Sequence, residues 1–444
     1  MKKVLALVAA STLLATSAMA DEPVMSKFKM TIGGYVKLDY AYNSDNLGGG
    51  AGIITPGGGG LTSALATRTG ASMQEQSILG MKQSRLFVKI DGPTFYGAKT
   101  GGLIEGDFYG NNGLAQESPQ FRMRLAYGTL DWKNTSILFG QYWDMFAPMV
   151  ASTQDFRSGS TTGAPNNPRS PMIKLTQRVD LNADNQLQFV VGVTDPSYYG
   201  DNTGTAAEPF GPAVSYGANL AYDAQIFYTS KALGVAPGYF GLSNKPLTIG
   251  LFGQYGNEHL PAANTKVVDS WGYGAYLFAP ILKSADGKGR AMTMSFEGQV
   301  YEAANMNYNG ATAAQFANGT AATNYPVGGN AAAVQAGIMP RKDLAFATQI
   351  IFYPTQDLGL TAGFGDRIAA NKAADMGATV YQKYNQEIYF NAAYDLNAAV
   401  RVAAEYQNLE AGFTNMNSAS TAYVAGARAL ASVNIGRLCV YYFF

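Results

Sequence analysis

The chain has one cysteine, Cys439, and one histidine, His259. A lone cysteine excludes an internal disulfide, and no Cys-x-x-Cys-His is present to attach a c-type haem. One histidine cannot build a histidine-rich zinc site. His259 falls in an expected loop between Glu258 and Leu260, where it is the sole base available to a Ser-His hydrolase. No enzyme activity and no cofactor are expected. Charge is scarce too: 14% of residues, with 31 Lys+Arg against 31 Asp+Glu. No basic excess exists to hold nucleic acid. Beyond the N-terminal leader, no apolar run approaches the roughly 20 residues that a transmembrane helix requires.

The leader has three parts. Lys2 and Lys3 form a basic start, Val4 to Leu14 is mostly apolar, and Ala18-Met19-Ala20 supplies the small residues of a cleavage site. That layout is a secretory signal. The expected organisation is a signal peptide at 1–20 and one domain at 21–444. No cysteine stands near the cleavage site to carry a lipid.

What is abundant is aromatic residues, 12% of the chain, and glycine, 51 residues. They come in alternation. From Phe28 to Tyr42 the even positions read Phe, Met, Ile, Gly, Val, Leu, Tyr, Tyr, and the odd ones include Lys29, Thr31, Lys37 and Asp39. In a strand successive side chains point to opposite faces, so one face is apolar and the other polar. About fifteen residues is long for a soluble sandwich but suits a tilted spanning strand with extensions.

The pattern recurs at 77–91, 97–109, 120–132, 135–143, 171–180, 186–194, 214–230, 246–258, 267–282, 290–304, 342–353, 358–368, 382–395, 398–411 and 425–444, sixteen strands in all. Short turns such as Asp91-Gly92-Pro93, Lys133-Asn134 and Asp286-Gly287-Lys288 alternate with long loops such as 43–76, 144–170 and 305–341. The link 231–245 is too long for its class, and the last segment too long for a simple span. The Gly/Ala-rich stretches 48–60 and 310–337 read as loops, with domain linkers as the alternative. Short-long alternation and an even strand number predict an all-β, antiparallel transmembrane barrel of about sixteen strands, with periplasmic turns and extracellular loops. Closure leaves no strand edge unpaired in lipid.

Charges interrupt the polar faces. Arg85 and Lys89 share one strand, and Lys99, Glu105 and Asp107 the next. Arg122 and Arg124 alternate with Phe121, Met123, Leu125 and Tyr127, and Lys174 and Arg178 follow out of phase with Ile173, Leu175 and Val179. A charge at mid-depth on the lipid face costs about 2–4 kcal/mol, so these are expected in a wet lumen. The alternative is paired struts inside a plugged barrel.

The stretch Ser84 to Gly92, then Gly97, then Glu105 and Asp107, resembles the second and third strands of Gram-negative general porins. Ile137-Leu138-Phe139-Gly140-Gln141 resembles the strand before their inward-folded third loop. The alternating end, Leu438, Val440, Tyr442 and Phe444, is similar to their C-terminal assembly signal. The resemblance covers about 80–145 and the C-terminus. It implies a water-filled, usually homotrimeric channel in the bacterial outer membrane, surrounded by lipid. It also implies that the third loop, here 144–170, sets acids opposite a basic ladder. The loop residues would be Asp144, Asp155, Arg157 and Arg169, and the ladder Arg85, Arg122 and Arg124, with Lys37. The loop departs from the family in carrying Phe146-Ala147-Pro148-Met149 where a Pro-Glu-Phe-Gly-Gly stretch is usual.

The expected function is passive diffusion of ions and small hydrophilic solutes, set by pore width and wall charge. The alternative is a structural barrel that sheathes or docks another exported protein, such as an electron-transfer partner.

Overall fold

The computed structural model of the chain describes residues 28–44, 75–110, 119–154, 163–165, 169–195, 220–259, 267–306, 311–312, 341–371, 381–414 and 430–444. The leader and the Gly/Ala-rich stretches 48–60 and 310–337 lie outside the described residues, apart from 311–312.

One antiparallel sheet accounts for nearly all of them. Its segments are β1 (Lys29–Asn43), β2 (Gln76–Gly80), β3 (Arg85–Asp91), β4 (Lys99–Asp107), β5 (Arg122–Asp131) and β6 (Thr135–Trp143). Next come β7 (Arg169–Asp180), β8 (Asn185–Thr194), β9 (Ala221–Pro237), β10 (Asn244–His259), β11 (Val267–Leu282) and β12 (Thr293–Ala304). The last are β13 (Lys342–Tyr353), β14 (Leu358–Ala369), β15 (Tyr381–Asp395), β16 (Val400–Thr414) and β17 (Leu430–Phe443). From β3 onward consecutive segments pair with each other, and β1 pairs with β2, β3 and β17, so the sheet closes. Both β2 and β3 lie against β1, so they form a single broken stave and the barrel has sixteen. His259, expected in a loop, is instead the last residue of β10.

The faces follow the alternation. Ile32, Val36, Leu38 and Tyr40 are exposed on the outside of β1, while Lys37 and Asp39 between them are buried. At the loop end of the outer surface, the hydroxyls of Tyr255, Tyr273 and Tyr406 donate to Asp269, Glu302 and Asn434 at 2.9, 2.8 and 2.8 Å. At the turn end, where the chain finishes, Phe95, Tyr96, Tyr394, Tyr442 and Phe444 are exposed. Two aromatic belts flanking an apolar band are what a lipid interface selects, because each ring has an apolar body and can keep a polar tip wet.

Three departures from strict alternation matter. First, the expected strand 77–91 is interrupted at 81–84. Lys82, Gln83 and Ser84 are buried, and the Ser84 hydroxyl accepts from Lys37 N at 2.9 Å where a ladder bond would have been. Second, a bulge between Glu105 and Gly106 of β4 lies opposite Met123–Leu125 of β5. It flips the phase of β5, because an extra residue moves all that follow to the other face. Phe121 and Met123 are exposed outside, but Leu125 is buried and Tyr127 packs on the inner cluster of Leu138, Met145, Met172 and Val190. The expected outward set on this strand therefore holds only for its first half. Third, β9 runs on to Pro237, beyond the expected 230. Ser230 pairs with Leu247 and Val235 with Pro246, which leaves 231–234 as a bulge below a tight turn at 238–243.

Candidate functional site

The third loop leaves β6 at Asp144 and crosses the inside of the barrel. Asp144 Oδ1 accepts from Phe146 N at 2.7 Å, which turns the chain inward. The Phe146 ring then meets Phe252 and Tyr301 edge-on, at centroid distances of 5.2 and 5.3 Å. Met149, Ala151 and Ala164 join the same buried cluster against Phe278, Ala345 and Tyr389. Among the described residues this cluster holds sixteen buried side chains, and the loop supplies one side of it.

A row of inward side chains on β12, β13, β15 and β16 holds the loop backbone. Gln299 of β12 accepts from Met149 N at 2.9 Å, and Gln349 of β13 accepts from Ser152 N at 2.9 Å. Asn391 of β15 donates to Ser152 O at 2.6 Å, and Glu405 of β16 accepts from Gln154 N at 2.6 Å. At the far end Lys37 Nζ of β1 donates to Gln154 O at 2.6 Å, and the Tyr441 hydroxyl to Gln154 Oε1 at 2.9 Å. The returning chain is pinned at Gly163, whose carbonyl accepts from Gln299 Nε2 at 2.7 Å. Gly163 has φ +70°, and a side chain there would strike the Phe346 backbone. A buried loop must have its backbone groups paired, and this row of amides pairs them. Sequence reasoning missed that role. Its signal was an amide recurring on the inward phase of strand after strand.

The loop thus lines the wall from β9 round to β17 and β1. The wall from β3 to β8 carries the basic residues. Arg122 Nε and Nη2 bind the two oxygens of Asp107 at 3.0 and 2.7 Å. Arg124 bridges Glu105 and Asp107, at 2.8 Å to each. Arg85 lies 3.9 Å from Glu105 and stacks over Tyr35. Arg124 and Arg169 both stand over the Trp143 ring, at 5.3 and 5.2 Å, and Lys174 over Tyr142 at 4.4 Å. Among the described residues no carboxylate pairs with Arg169, Lys174 or Arg178, whereas Asp107 and Glu105 are consumed by their neighbours.

Several expected pore-lining residues are placed elsewhere. Lys37 is 0% exposed, bound to Gln83 Oε1, Gln154 O and Asp39, and sits behind the loop end. It is a clamp on the loop, not a rung of an open ladder. Arg124 and Asp107 are buried struts, because each satisfies the other's charge. Asp144 does not face the arginines. It is buried beside Gln254, whose amide reaches both Asp144 at 3.4 Å and Asp223 at 2.9 Å. Burial pushes the Asp144 carboxyl up to about 6, against the hydrogen bonds that lower it. Lys89 and Lys99 are exposed toward the turn end, Lys89 within 3.5 Å of Asp91. Asp155 and Arg157 lie outside the described residues. Among the described residues no group of three or more His, Cys, Asp or Glu is placed to hold a metal ion.

No family model and no curated protein matches the sequence. Solved structures match over nearly its whole length. The outer membrane channel DcaP of Acinetobacter baumannii superposes with a TM-score of 0.58 at 15% identity, covering 96% of this chain and 100% of that one. The outer membrane protein OmpT of Vibrio cholerae, in its trimer form, gives 0.52 at 13% identity, covering 94% and 100%. The anion-selective porin from Comamonas acidovorans gives 0.50 at 12% identity, covering 94% and 100%. The chain therefore has the fold of Gram-negative outer-membrane porins and channels, with a closed barrel of sixteen staves.

Proposed function

We propose that this protein is an outer-membrane channel through which small hydrophilic solutes and ions diffuse passively, with a preference for anions. The observation that carries it is the division of the lumen into two walls. The described loop residues, 144–154 and 163–165, cover the β9–β17 wall, and the acids Glu297 and Glu405 are spent beneath them on Gln349 and Gln154. On the bare wall Arg85, Arg122, Arg169, Lys174 and Arg178 stand around the strut Arg124, and the acids Glu105 and Asp107 among them are already paired with Arg85, Arg122 and Arg124. Screening falls off over about 8 Å at 0.15 M salt, so the charges nearest the path dominate. Transport of this kind needs no catalytic group. The turn end is the periplasmic side, and the assembly is a homotrimer, as in the OmpT structure named for its trimer form.

The loop core fills much of the space that a docked protein would need, which weighs against the sheath. The test is the reversal potential of a single channel in a salt gradient. An anion-favouring value supports this function, and Lys174→Gln with Arg178→Gln should move it toward cations. A value that both substitutions leave unchanged removes the role of this wall.

A further inference from the structure

The turn after β9 does something that a connection of its class need not do. After the bulge at 231–234 the hairpin folds into the barrel mouth, and Ala236, Pro237, Gly238 and Phe240 are buried there. Its anchors come from the neighbouring turn and strand. Val235 O accepts from Ser284 N at 2.8 Å, Pro237 O from the Ser295 hydroxyl at 2.7 Å, and Asn244 Nδ2 donates to Gly287 O at 3.1 Å. The tip is strained. Phe240 has φ +47° and Gly241 φ +67°, and a side chain at Gly241 would strike the Tyr353 hydroxyl. A bulky residue in the left-handed region persists only where its surroundings over-determine it.

The direction of the fold is the informative part. β9 and β10 stand across the barrel from β1 and β17 in the closed strand order. Yet Tyr239 and Phe240 share a cavity of about 720 Å³ with Tyr35, Arg85, Gln154 and Tyr441 of the far side. Tyr239 lies within electrostatic reach of Arg85 and Tyr35. The turn therefore reaches across the lumen below the described part of the third loop, whose Gln154 forms the roof of the same cavity.

We infer that this inward turn is a second constriction at the turn end. In it Tyr239 and Arg85 are the specificity-determining pair, Tyr239 setting width and Arg85 favouring anionic solutes. The inference rests on the channel function proposed above. A solute that has passed the loop must then pass between an aromatic edge fixed by the turn and a guanidinium fixed by β3. Two filters in series let the loop and the turn select on different properties.

The experiment uses the full-length protein in planar bilayers and in swelling liposomes. Tyr239→Ala with Phe240→Ala should raise unit conductance at least about twofold, since a series resistance is removed. It should also admit larger neutral sugars. Arg85→Gln should lower anion preference without widening the pore. Wild-type protein that never conducts sinks the channel function itself. Conducting wild type whose double variant keeps the same unit conductance and sugar cut-off overturns this constriction alone. Should the double variant not assemble, Tyr239→Cys in a Cys439→Ala background replaces it. A bulky impermeant thiol reagent added from the turn side should then cut the current to less than half. Full labelling with unchanged current, or no labelling at all, overturns the proposal.

Discussion

Lys37 on β1 donates its ammonium to the main-chain carbonyl of Gln154 at 2.6 Å, tying the far end of the third loop to the strand that closes the barrel. The same ammonium lies 2.8 Å from Asp39. Removing one partner of a buried pair costs about 3–5 kcal/mol where the other charge is left uncompensated, and less here because Arg437 lies 3.9 Å from Asp39. Lys37→Met should lower the denaturant midpoint of the folded barrel and expose the loop to protease. A variant with wild-type midpoint and an uncut loop would show that the clamp is not needed.

The basic wall should separate into two kinds of residue. Arg124→Gln takes from Glu105 its nearer cation and from Asp107 one of its two, leaving Arg85 and Arg122 as the remaining partners, so it should destabilise by roughly 1–3 kcal/mol. Lys174→Gln should cost far less, since its ammonium has only the Tyr142 face as a described partner. The midpoints of the two variants, measured side by side, check this. Equal losses would mean that Lys174 is a strut as well.

Position along β7 offers a test of the faces. Cysteine at Lys174 or Arg178 should react with a membrane-impermeant thiol reagent, and cysteine at Ile173 or Leu175 should react only with a lipid-soluble one. The native Cys439 is buried, donating to Asp39 Oδ1 at 2.9 Å, and gives a low background. Labelling of both sets by the impermeant reagent would contradict the placement of β7.

Acid should tighten the start of the loop. The Asp144 carboxyl is held up to about 6 by burial, so the folded state binds its proton more tightly than the unfolded chain does. The stabilisation is full below the ordinary carboxylate range and is lost as pH rises through about 6. The denaturant midpoint should therefore fall between pH 4 and pH 7 by more in wild type than in Asp144→Asn. Parallel pH profiles for the two would rule out Asp144 as the source.

How much of this was legible in the sequence depends on where side chains alternate freely. The stave β1 reads correctly from Ile32 to Tyr40 because lipid on one side and the interior on the other enforce period two. The same rule misplaced Leu125 and Tyr127, because the bulge at Glu105 and Gly106 leaves no composition signal. The arginines were found, but not their partners. Whether Arg124 lines water or braces a wall depends on a carboxylate that register brings across from β4. Lys37 and Asp144 failed for a related reason: a loop folded over them, and no local pattern announces what will cover a residue. The turn at 238–243 was visible only as a link too long for its class.

The C-terminal residue joins the closure directly. Gly34 N donates to Phe444 O at 3.1 Å and Phe444 N to Gly34 O at 3.2 Å, while the ring stays exposed on the outer face. Deleting Phe444 should reduce the heat-modifiable barrel in the outer membrane severalfold while export continues, because the closing pair and the exposed terminal ring go together. Full assembly after deletion would count against it.

The most direct measurement of the central claim is the current through purified wild-type protein in a planar bilayer under a salt gradient. Stable unit steps, in threes if the assembly is a trimer, with a reversal potential on the anion side, are the expected result. A correctly folded barrel that stays electrically silent would contradict it.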